Sequence, residues 1–154
     1  LRMYIMKSFK IKELYGDGYE RWSKVEGSVS KELICVHFIE YDEYLENSSD
    51  SKKRRKDDII NGKLKIELVT QYKFENSDKY GFVQPINKSS HIIAIGIVKE
   101  IEDSDSIMCS IQGLGDDIII EFEDDVEIEI GAKIEIKGSL ELELDSCDFE
   151  KANL

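Results

Sequence analysis

The chain is expected to fold as an all-β protein, a small antiparallel barrel or sandwich with no more than one short helix. Two observations predict this. From Asp117 to Asp145 the apolar residues Ile118, Ile120, Phe122, Val126, Ile128, Ile130, Ile134, Ile136, Leu140, Leu142 and Leu144 all fall on even positions, with mostly Glu between them. That is the period of a half-buried strand and not of a helix. Elsewhere, short apolar stretches are separated by turn signals at intervals of roughly 8 to 12 residues, giving about nine to eleven strands, the spacing of barrels and sandwiches.

In chain order, residues 4–14 read as a loosely periodic first strand ending at the turn Gly16-Asp17-Gly18, where positive φ comes cheaply. After Trp22, residues 23–30 alternate Val25, Gly27 and Val29 with Lys24, Glu26 and Ser28. Residues 33–39, LICVHFI, form a continuous apolar run suited to a buried strand. A compositional break follows at 41–61, YDEYLENSSDSKKRRKDDIIN, and an exposed charged loop is expected at about 46–61, because this stretch is too polar to build a core of its own. Residues 63–74 return to alternation through Leu64, Ile66 and Leu68. Pro85 places 76–90 at a sheet edge or in a connector, since proline cannot donate into a central ladder. Residues 91–101 form a strong strand with Gly96 at its middle, where barrels bend or bulge, and 107–112 a shorter one. Breaks are expected at Asp124-Asp125, at Gly131 and at Gly138-Ser139.

From His91 onward the order is a strand with a central glycine, a short strand, a strand, then GAKIEIKG and a last strand. This resembles the order of OB-type barrels over about a third of the chain. The resemblance implies an OB-like carboxy-terminal half, and such barrels serve nucleic acid, saccharide and protein partners alike.

The 154 residues read as a single β domain with enough apolar content for one core. Cys35, Cys109 and Cys147 are an odd number at wide spacings, which argues against a disulfide framework or a zinc site and for a reducing cytoplasm. No apolar run reaches the roughly 18 residues of a membrane span, and Leu1, Met3 and Met6 are alternative native starts. The net charge of -12 is lopsided: residues 1–99 hold 18 Lys+Arg against 15 Asp+Glu, while residues 100–154 hold 3 against 18. A field of that sign steers basic partners inward and disfavours direct nucleic-acid binding.

The candidate partner-binding residues are therefore Glu121, Glu123, Asp124, Asp125, Glu127 and Glu129, with Asp116 and Asp117 at the adjoining turn and Tyr41 and Tyr44 as an acidic-aromatic patch. Like charges about 5 Å apart repel by roughly 1 kcal/mol even in water, so a fold that keeps so many either interleaves them with lysines such as Lys63, Lys65, Lys133 and Lys137 or uses them. The expected function is non-enzymatic: a monomer or weak homodimer that binds a basic protein, in the manner of an immunity protein or antitoxin occluding the positive cleft of a toxin nuclease. The alternative is an OB-type nucleic-acid-binding protein using the basic run Lys52, Lys53, Arg54, Arg55 and Lys56, which lacks interleaved aromatics for base stacking. Neither His37, two residues from Cys35, nor His91 sits in a catalytic motif. Asp103-Ser104-Asp105-Ser106 lacks the glycine and distal Glu of a calcium loop, so no metal and no cofactor is expected.

Overall fold

Alternating apolar and polar residues become nine strands and, among the described residues, no helix. The computed structural model describes residues 6–16, 18–28, 31–40 and 54–145. The strands are β1 (Lys7–Tyr15), β2 (Glu20–Gly27), β3 (Leu33–Ile39), β4 (Ile59–Phe74), β5 (Gly81–Val83), β6 (His91–Asp103), β7 (Ser106–Ile111), β8 (Gly115–Phe122) and β9 (Lys133–Leu144). Burial alternates along β2, β6, β7, β8 and β9, so one face of a single mixed sheet supplies the core.

The sheet closes on itself twice. The long strands β4 and β9 pair antiparallel from Gly62↔Leu144 to Phe74↔Ile134 and form a central ribbon. At one end of the ribbon, β1 pairs with the start of β4, and the meander β1-β2-β3 returns to β9 through the parallel pair His37↔Glu141. At the other end, β6 pairs with the start of β9, and the meander β6-β7-β8 returns to β4 through parallel pairs at Lys65↔Ile119 and Ile66↔Ile120. Each ring has five strands, three in a meander closed by a parallel return, and the two rings share β4 and β9. Residues 7–74 and 91–144 thus follow the same plan, three strands and then a long one, and each half lends its long strand to the other's ring. Ile60, Leu64 and Ile66 of β4 and Ile134, Ile136, Leu140 and Leu142 of β9 all point to the same side, so the two rings fill one continuous core.

The OB-like expectation for the carboxy-terminal part is corrected in its fifth strand. The expected break at Gly138-Ser139 does not occur: β9 runs unbroken through it, and the strand that completes the ring is β4. Gly138 is a close-approach residue, since a Cβ there would lie 2.6 Å from the Glu67 carbonyl oxygen and 2.8 Å from Ile66 Cγ2. Gly62 makes the matching approach from β4 to the Glu143 carbonyl. Gly138→Ala is expected to lower stability by roughly 1–3 kcal/mol through this overpacking, read as a drop in the urea midpoint at unchanged slope.

Other expectations shift by local geometry. The charged loop expected at 46–61 ends earlier, because β4 already begins at Ile59, where it pairs with Lys10; residues 46–53 lie outside the described residues. Leu68 does not continue the alternation of Leu64 and Ile66. It adopts φ 60°, turns outward to 65% exposure, and Val69 takes the inward place, as at a bulge where the β4–β9 register shifts. Gly96 marks a close approach to Ser110 on β7, while the register shift in β6 comes after Val98. Residues 126–130 make no strand. Among the described residues no helix is long and apolar enough to cross a membrane.

Candidate protein-docking surface

The acidic residues separate into two populations. Those on strand faces are interleaved with lysines: Lys65 Nζ lies 2.7 Å from Glu67, 3.6 Å from Glu121 and 4.0 Å from Glu143, Lys63 3.4 Å from Glu143, and Lys73 3.6 Å from Glu135. Partial burial of Lys65 pulls its pKa down, but the Glu67 hydrogen bond and the charges of Glu67, Glu121 and Glu143 outweigh that and leave it raised. Asp117 pairs with Lys7 at 3.2 Å, and Asp116 accepts a hydrogen bond from Ser110 Oγ at 2.8 Å. Glu121 and Asp117 are therefore parts of charge-balanced faces and do not extend an open field.

The second population is the segment after β8. Glu123, Asp124, Asp125, Glu127 and Glu129 are five carboxylates in seven residues, all exposed, and none is in an ion pair among the described residues. Among the described residues the segment forms no strand ladder, yet it keeps an alternation of core-facing and exposed residues. Ile128 enters the core at 8% exposure and Val126 packs against it, while Glu127 and Glu129 point to water. Backbone bonds fasten it along its length: Glu123 N–H to Val69 O, Val126 N–H to Ser104 O, and Gly131 N–H to Val98 O, at 2.9, 2.9 and 2.8 Å. Ser104 Oγ donates to Asp125 Oδ1 at 3.0 Å. The β6–β7 turn is thereby joined to the acidic segment, adding the exposed Asp103 and Asp105 to the same surface. By spacing alone those two belong only to an incomplete calcium loop; their membership of this surface depends on a turn contact that spacing does not reveal. Phe74 and Ile130, 59% and 65% exposed, supply apolar area beside Glu127 and Glu129, where Phe74, Ile128 and Ala132 line a recess of about 450 Å³.

No family model, curated protein or solved structure matches the chain. The surface must therefore be read on its chemistry alone.

The basic run is divided. Arg54 Nη1 lies 2.9 Å from Glu40 Oε2, and the Arg54 backbone N–H donates to Glu40 Oε1 at 3.1 Å. Arg21 Nη1 lies 3.5 Å from the same Oε1. Glu40 is fully buried, so this is a three-membered ionic clamp with Arg54 as a structural member. Arg55 and Lys56 are exposed, with the Arg55 backbone bonded to Asp58 Oδ2. Lys52 and Lys53, like Tyr41 and Tyr44, lie outside the described residues.

His37 stands at the seam where β3 meets β9. Its Nδ1–H donates to Glu141 Oε1 at 2.5 Å, and Ser139 Oγ donates to Glu141 Oε2 at 2.6 Å, with Ser90 Oγ 2.7 Å from Ser139. Its Nε2 lies 3.3 Å from Glu20, and Trp22 packs on the ring at 5.0 Å. In a serine-histidine-acid relay the hydroxyl touches the imidazole; here it touches the acid, so these groups work as a closure of the first ring. Cys35 shares the outer face of β3 with His37, but burial raises its thiol pKa, and burial pushes Cys109 up to about 12. His91 opens β6, its backbone N–H bonded to Ser89 Oγ.

Proposed function

We propose that the protein binds a basic protein partner through the segment Glu123–Glu129 and the adjoining Asp103–Asp105 turn, in the manner of an immunity protein or antitoxin that occludes the positive cleft of a nuclease. One observation carries the reading: five exposed carboxylates sit on a segment fastened by backbone bonds, without paired cations among the described residues, while Glu121, Glu135 and Glu143 on the strand faces have lysines. Holding these charges together without counter-charges works against folding. An incoming row of Lys and Arg relieves that repulsion, and the fixed display asks for little ordering on binding. A cleft built for polyphosphate presents such a row, and the long-range field accelerates the encounter. Phe74 and Ile130 give the contact a centre that can be desolvated.

The test uses the protein retained from the source cell's lysate at low salt. The fivefold variant E123Q/D124N/D125N/E127Q/E129Q is expected to bind that protein at least 100-fold more weakly at low ionic strength, chiefly through association rate. E135Q/E143Q, on the lysine-paired face, is expected to bind within about threefold of wild type. Equal affinity of the fivefold variant and wild type would overturn the reading, as would a retained protein with no nuclease activity for the domain to inhibit.

A further inference from the structure

A different surface carries a second binding proposal. The first ring is closed between β3 and β9 by one residue pair, His37↔Glu141. From Leu33 to Val36 the outer backbone edge of β3 pairs with no strand among the described residues. In place of a strand, the Gln84 side chain reaches it: Cys35 N–H donates to Gln84 Oε1 at 2.8 Å, and Gln84 Nε2 donates to Cys35 O at 2.7 Å. A carboxamide offers the same donor and acceptor as a peptide group. Gln84 therefore holds the position one residue of an added strand would take.

Beyond Gln84, the short β5 is the last strand of the sheet, paired only with β6. Between β3 and β5 lies a cleft of about 320 Å³. Leu33, Val83 and Ile86 line it at 54%, 58% and 54% exposure and bring three large apolar side chains together on one surface. Its charged lining residues are Lys24 and Lys88, and among the described residues no Asp or Glu lines it. Lys24 is 3.9 Å from Glu13 at the rim, and Lys88 lies over the Tyr15 ring at 5.3 Å. Glu13 feels both lysines and offsets one of the two charges, which leaves an excess of one cation at this cleft on a chain of net charge -12.

We infer that this cleft accepts an extended acidic segment of a partner protein by strand addition to β3. The incoming peptide group takes the Cys35 N–H and C=O from Gln84. Its apolar side chains pack on Leu33, Val83 and Ile86, and its carboxylates meet Lys24 and Lys88. Backbone bonds supply affinity, and the alternation of side chains supplies selectivity.

The probe is the peptide acetyl-Glu-Val-Glu-Ile-Glu-amide, titrated into the labelled full chain and followed by amide NMR, with acetyl-Lys-Val-Lys-Ile-Lys-amide as the charge-reversed control. The acidic peptide is expected to shift the Leu33 to Val36 amides and the Gln84 side-chain amide. K24E/K88E is expected to weaken it at least tenfold, and Gln84→Ala to tighten it several-fold by removing the competing carboxamide. The inference is overturned by any of three results: no shift at these amides at millimolar peptide, equal binding of the lysine peptide at this site, or a Gln84→Ala affinity unchanged or weakened.

Discussion

Glu40→Ala is expected to cost about 3–5 kcal/mol of folding free energy, the penalty for breaking a buried ion pair from one side. Glu40 has no exposed surface, and the side chains of Arg21 and Arg54 that converge on it are 8% and 11% exposed. Removing the carboxylate takes from the desolvated Arg21 guanidinium its buried counter-charge, and Arg21 Nε already has no acceptor among the described residues. Urea denaturation would read the loss as a lower midpoint. The triple replacement R21M/E40L/R54M is expected to recover most of it, because apolar side chains of similar volume avoid the desolvation penalty. A loss under 1 kcal/mol in Glu40→Ala would mean that water reaches the clamp.

Ile66→Ala is the second large effect, expected at about 2–5 kcal/mol from lost burial and the cavity left behind. Ile66 is fully buried, and in the ribbon it pairs with Leu140 on one side and Ile120 on the other. It therefore belongs to both rings. Hydrogen exchange in Ile66→Ala is expected to speed up together in β2 and β7, strands of opposite rings that do not touch. Faster exchange confined to β7 and β8 would show that the rings unfold separately.

Much of the fold was legible because strand alternation records a buried face, and it did so in β8 and in β9 from Ile134 to Leu142. The same pattern misleads at 126–130, since a segment that packs Val126 and Ile128 on the core alternates without belonging to a strand ladder. The alternation of Leu64 and Ile66 predicts Leu68 inward, but its side is decided by the register between β4 and β9, which local composition does not encode. Of the candidate site, the five carboxylates at 123–129 were visible in the sequence. What was not visible is that lysines from β4 would neutralise Glu121 and Glu143 and leave these five alone. That distinction depends on which strands become neighbours, as does the recruitment of Arg54 by Glu40 across 14 positions of polar chain.

The shared ribbon also sets the timing of folding during synthesis. β9 is the last strand among the described residues, and neither ring is closed without it: β3 has its return partner at Glu141, and β6 its partner along Lys133 to Ser139. On the ribosome, the meander β1-β2-β3 and strand β4 must wait as an open sheet until residue 144 has emerged, with their apolar face uncovered. Loop closure over such separations makes β topologies slow to fold, and open edges in that interval invite pairing with other chains. The glycines at 62 and 138, whose bare backbones let the two long strands come together, are also what the nascent chain needs last.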